Sequence, residues 1–102
     1  MEQPERKDQV LVAIPWYRPE QWRRLKEISS DAKSMEESYE QWNAFANRRV
    51  NELKRLGRRV EKVPVDVEEL LKWCQGRNRP VDAQARAEFA AAKCAEAHRG
   101  EQ

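Results

Sequence analysis

Few residues in this chain are equipped for catalysis. It has one histidine, His98, two cysteines, Cys74 and Cys94, and three glycines, Gly57, Gly76 and Gly100. A general base needs an orienting partner and shelter from water. His98 stands one helical turn from the end of the sequence, so neither role is expected of it. Two cysteines twenty residues apart and a single histidine give no zinc-finger spacing. Three scattered glycines build no phosphate-cradling loop, and no Gly-x-Ser-x-Gly elbow occurs. A reactive thiol needs exposure and a positive neighbour. Cys74 instead falls on an apolar helix face and is expected in the core. Glu36, Glu37 and Glu40 could suggest a cation site, but hard metals want several converging oxygens. These carboxylates lie near the start of a helix whose end carries Arg48, Arg49, Lys54 and Arg55. That polarity complements the helix dipole. No catalytic residue, cofactor or metal ligand is therefore expected, although an enzyme without a recognisable motif stays among the readings.

The elements that would position any site can be read from periodicity. Val10 to Ile14 form the longest apolar run and suit a strand over 10–14. Pro15 has no N–H to give a ladder and is expected to end the pairing. Pro19 suits the first position of a helix, with Trp22, Leu25 and Ile28 as its apolar face, so helix 1 is read over 19–29. Trp16 and Tyr17 lie in the stiff corner between the two prolines. Neighbours in extended chain point opposite ways, so one of the pair should face inward. Ser34-Met35-Glu36-Glu37 has the form of a capping box. It predicts helix 2 from near Ser34, with a stripe through Met35, Tyr39, Trp42, Ala46, Val50 and Leu53 flanked by Phe45 and Leu56. Gly57 sits where a left-handed cap is wanted.

A second strand is read over 59–65. Asp66 caps helix 3, on which Val67, Leu70, Leu71 and Cys74 make the helical signature. Asp82 caps helix 4, which runs to about Ala97 with Phe89 as its only large apolar residue among many alanines, each supplying little burial. The expected fold class is α+β and mostly helical. It has four helices and two short strands in the order β-α-α-β-α-α, able to pair in parallel through a crossover. Residues 1–9 read as a flexible lead-in, 10–97 as one compact domain and 98–102 as a frayed end.

Composition bounds the function. Charged residues make up 37% of the 102, and mean hydropathy is −1.06. Leu, Ile, Val and Phe number only 18, but a net charge of +2 argues against disorder. Four Trp and two Tyr compensate with large burial per residue. No apolar stretch long enough for a membrane span occurs and the first nine residues lack a signal-peptide run, so a cytoplasmic protein with no membrane association is expected. Two thiols in a reducing compartment are read as small apolar residues.

Two binding readings follow. In a thin, ring-rich core some aromatics should reach solvent, and exposed Trp, Tyr and Arg anchor interfaces. Trp16, Tyr17, Arg18 and Trp73 are the candidate protein-binding residues of a small non-catalytic interaction module. A two-stranded sheet is weak alone, so a homodimer is a plausible form of that module. The alternative is a weak nucleic-acid-binding accessory role. Residues 48–62 carry Arg48, Arg49, Lys54, Arg55, Arg58, Arg59 and Lys62 against Glu52 and Glu61, an excess of five. It is the less favoured reading, because a sequence pI near 8.7 is low for a dedicated binder and the cations fall on several faces of helix 2.

Three segments carry a resemblance. Ile14-Pro15-Trp16-Tyr17-Arg18-Pro19-Glu20-Gln21-Trp22, Val65-Asp66-Val67-Glu68-Glu69-Leu70-Leu71-Lys72-Trp73-Cys74 and Arg79-Pro80-Val81-Asp82-Ala83-Gln84-Ala85-Arg86-Ala87-Glu88-Phe89 resemble those of short bacterial proteins of unknown function. The resemblance implies no activity, cofactor or partner.

Overall fold

The computed structural model describes residues 11–99. The lead-in over 1–9, Val10 and residues 100–102 lie outside the described residues. Strand β1 (Leu11–Trp16) leads through a 3-10 turn (Pro19–Gln21) into helix α1 (Trp22–Ile28). A second 3-10 turn (Ala32–Ser34) precedes α2 (Tyr39–Arg55). Strand β2 (Arg59–Pro64), α3 (Val67–Gln75) and α4 (Ala83–Arg99) complete the described chain. The two strands pair in parallel, Leu11 opposite Arg59 and Trp16 opposite Pro64, with α1 and α2 as the crossover. The α+β, mostly helical architecture read from periodicity is the one observed.

Pro15 does not end β1. It lies within the ladder opposite Val63, and Trp16 follows it in register. A proline is tolerated where a strand pairs on one side only, and among the described residues β2 is the sole partner of β1. The ladder runs one bond further, from Val65 N–H to the Trp16 carbonyl at 3.1 Å.

The capping box of the long helix lies one turn later than the sequence suggests. Ser38 Oγ accepts from Gln41 N–H at 3.1 Å, and Gln41 Oε1 accepts from Ser38 N–H at 3.3 Å. Ser34 ends a 3-10 turn instead. The Ser-x-x-Glu/Gln pattern occurs at both 34 and 38, and a shift of four residues leaves the apolar stripe on the same face. Periodicity therefore could not choose between them. Tertiary contact does: Met35 packs on the core from outside the helix, and Tyr39 Oη donates to the Tyr17 carbonyl at 3.1 Å. Ala46, Val50 and Leu53 are buried, but Phe45 and Leu56 are 51% and 69% exposed and add nothing to the core face.

Helix α3 starts where Asp66 Oδ1 accepts from Glu69 N–H at 3.0 Å, and α4 starts where Asp82 Oδ1 accepts from Ala85 N–H at 2.9 Å. Gly57 has φ +83° and closes α2 in the left-handed conformation. The alanines of α4 do more than the sequence suggests. Their small side chains let the helix lie against both strands. Ala90 and Cys94 pack on Val63, Leu11 and Ala13, while Ala85 and Phe89 enter the main core beside Leu25, Leu70 and Cys74. The helix runs on to Arg99, placing His98 in its last turn. No helix among the described residues is long and apolar enough to cross a membrane.

Candidate functional site

Five rings gather where β1 enters its corner, and four of them surround Trp42. Its centroid lies 5.0 Å from that of Trp16, 5.2 Å from Tyr17, 5.4 Å from Tyr39 and 5.7 Å from Trp22. The extended backbone before Pro19 turns Tyr17 inward, where it is 3% exposed, and leaves Trp16 half-buried. Trp22 follows at the first position of α1, so both are set by the proline corner rather than by a mobile loop.

A groove of about 620 Å³ opens beside this cluster, within the size range of small-ligand sites. Ile14 and Pro15 line it from β1, Trp42, Phe45, Ala46 and Arg49 from α2, and Ala83, Arg86 and Ala87 from α4. Asp31, Ser34, Met35 and Glu36 close one end, and Tyr17 and Trp22 complete the wall. The lining holds no His or Cys, so it is not built for a transition metal.

Two features separate this groove from ordinary packing faults. The Tyr17 hydroxyl and the Trp22 indole N–H are both buried and have no hydrogen-bond partner among the described residues. Leaving a buried donor unmade costs about 1–3 kcal/mol. Burial also pushes the Tyr17 phenol well above the ordinary tyrosine range, with Arg86 opposing and Asp31 reinforcing the shift. The phenol therefore stays protonated and able to donate at neutral pH. Beside it, Arg86 forks onto Asp31, Nη1 to Oδ1 at 2.9 Å and Nη2 to Oδ2 at 2.8 Å, and Nη1 also donates to Ser29 Oγ at 3.1 Å. Arg86 holds the Asp31 carboxyl below the ordinary aspartate range. The site is an apolar slot walled by rings, with two buried, unpartnered donors and a neutralised charge pair beside it. It can hold an apolar body; no nucleophile and base pair lines it.

Of the protein-binding candidates, Tyr17 alone lines this groove, and of the basic candidates Arg49 does. Trp16 faces another shallow depression, with Lys62 Nζ 4.4 Å from its ring centroid. Arg18 is exposed and pairs with Glu20 at 3.1 Å. Trp73 sits elsewhere, edge-on to Phe89, with the Arg77 guanidinium 4.2 Å and that of Arg79 5.8 Å from its ring. These four do not form one surface. Arg48, Arg49, Lys54, Arg55, Arg58, Arg59 and Lys62 are all exposed. Arg49 pairs with Glu52, and Lys62 donates to Asn47 Oδ1.

Sequence reasoning missed Arg86, Asp31 and Trp22 as groove residues. The one signal for Arg86 was an arginine set between Ala85 and Phe89 on the apolar side of a helix, a position a cation takes only with a partner. Set against protein-family models, curated proteins and solved structures, the chain matches none.

Proposed function

We propose that the protein is a small non-catalytic protein-interaction module, and that its binding surface is the groove between α2 and α4. The observation that carries this reading is an apolar slot of about 620 Å³ walled by β1, α2, α4 and the rings of Tyr17, Trp22 and Trp42. The fitting partner is a peptide segment that inserts an aromatic or branched apolar side chain. Phe45 on the rim supports it, since a half-exposed ring beside a slot is a ready contact for an inserted side chain. A second copy of the chain is the first partner to test, because the outer side of β1 has no strand partner among the described residues.

The test is a random-dodecapeptide display selection on the folded chain, with Phe45→Asp as counter-target, followed by fluorescence titration of the selected peptides. Peptides with an apolar anchor should bind and perturb the tryptophan emission, and Phe45→Asp should lose them. Selected peptides that bind the variant equally well would end the groove reading. Sedimentation velocity across a concentration series reports self-association.

A nucleic-acid-binding accessory role is the second reading. Arg48, Lys54, Arg55, Arg58 and Arg59 are exposed and form no ion pair among the described residues, so they are free to meet phosphates. Titration of labelled DNA and RNA at low ionic strength tests it; no binding there would dismiss it.

A further inference from the structure

The geometry points to a binding site for a divalent transition metal of the zinc type, formed by Cys94 and His98 on α4 with Glu61 on β2. Their ligand atoms, one thiol sulfur, one imidazole nitrogen and one carboxylate oxygen, all lie within 4.8 Å of one another. Tetrahedral zinc with bonds near 2.0–2.3 Å sets its ligand atoms about 3.3–3.8 Å apart. The set, with separations up to 4.8 Å, would have to close by about 1 Å on binding.

The fold fixes the three from below. Cys94 and His98 are four residues apart and share one face of α4. Glu61 lies two residues before Val63, and alternation along a strand puts both on the same side of the sheet. Val63 packs on Ala90 and Cys94, so Glu61 is carried to the next turn of the helix. There His98 Nε2 and Glu61 Oε1 are 2.7 Å apart, and the Cys94 thiol also interacts with Glu61.

The donor set selects the cation. A thiolate and an imidazole suit zinc, cobalt and their neighbours and are poor ligands for calcium or magnesium. Thiolate and carboxylate together carry two negative charges, which a dication cancels in this half-buried position. Binding releases the thiol proton, and below the imidazole pKa it releases the His98 proton too. Three protein ligands leave a fourth position for water or an incoming group.

The same trio does not read as a nucleophile with its base. Cys94 is 5% exposed, and burial, then Glu61, raises its thiol pKa. A nucleophilic cysteine needs the opposite.

The test is titration of the reduced full chain with Co²⁺ and then Zn²⁺. One equivalent of Co²⁺ should give a sulfur-to-metal charge-transfer band and tetrahedral visible bands, both bleached by Zn²⁺. Cys74→Ser should keep the charge-transfer band and Cys94→Ser should lose it. His98→Ala and Glu61→Gln, at partly exposed positions that should fold, should each weaken binding by about tenfold or more. Cobalt spectra without a thiolate band, or a band unaffected by His98→Ala and Glu61→Gln, would overturn the assignment. Those two variants decide the matter even should Cys94→Ser fail to fold.

Discussion

Arg86 reaches across 55 residues of sequence to meet Asp31 with two parallel hydrogen bonds of 2.8 and 2.9 Å. The pair ties α4 to the connection after α1. A short parallel bridge between Ser29 and Val81 runs beside it, with Ser30 N–H donating to the Val81 carbonyl at 2.8 Å. The Arg86 side chain is 11% exposed, so removing its partner strands a largely buried charge. We expect Asp31→Asn to cost about 2–3 kcal/mol in urea melts at pH 7. The folded carboxyl titrates below its unfolded value, so the unfolded chain binds more protons as pH falls. The stabilisation is present above the ordinary aspartate range and is lost as pH drops through the folded pKa. Asp31→Asn should flatten that part of the acid limb; an unchanged limb would show that the pair contributes nothing.

Tyr17 behaves in the opposite sense. Its hydroxyl is a buried donor without a partner among the described residues. Tyr17→Phe deletes the unmet donor and keeps the ring, so stability should rise by up to about 1 kcal/mol. The raised folded pKa adds an alkaline signature. The unfolded phenol ionises near pH 10 while the folded one does not, so stability falls as pH rises beyond that. The variant should lose this share of the alkaline decline. Calorimetry from pH 7 to 11 measures both effects, and a large destabilisation at pH 7 would mean the hydroxyl has a partner.

Trp42 is the ring on which the aromatic cluster converges. Trp42→Ala should cost about 3–5 kcal/mol. Phe45→Ala, on the same helix but half-exposed, should stay within about 0.5 kcal/mol. Similar losses for the two would refute the assignment of faces on α2.

The start of α2 offers a paired test. Ser38→Ala should cost about 1 kcal/mol, since it removes the acceptor for Gln41 N–H. Ser34→Ala, at the end of a 3-10 turn, should be close to neutral. Thermal melts of both variants suffice, and the reverse order would restore the helix start that the 34–37 pattern suggests.

Local chemistry wrote most of the architecture into the chain. The capping aspartates 66 and 82, Gly57, the stripe from Tyr39 to Leu53 and the apolar run of β1 each act within a few residues. Each can therefore be read without knowing the fold. The same locality explains the errors. Pro15 lies inside the ladder because β1 pairs on one side only, a fact about the sheet and not about proline. The shift from Ser34 to Ser38 turns on where Tyr17 offers its carbonyl to Tyr39. The alanines of α4 looked thin as a source of burial because their worth lies in how near they let the sheet come.

The candidate sites follow the same division. Sequence alone determined that an aromatic corner would exist, that Tyr17 or Trp16 would turn inward, and that Cys74 would fall on a core face. Each depends on alternation or helical spacing between neighbours. Tertiary structure alone decided that Arg86 would find Asp31, that Tyr17 and Trp22 would wall one groove, and that Glu61 would meet Cys94 and His98. The charge pair joins residues 55 positions apart, and Glu61 lies 33 and 37 positions from Cys94 and His98. Only the parallel pairing of β1 with β2, and the seating of α4 upon it, fixes the distances between them.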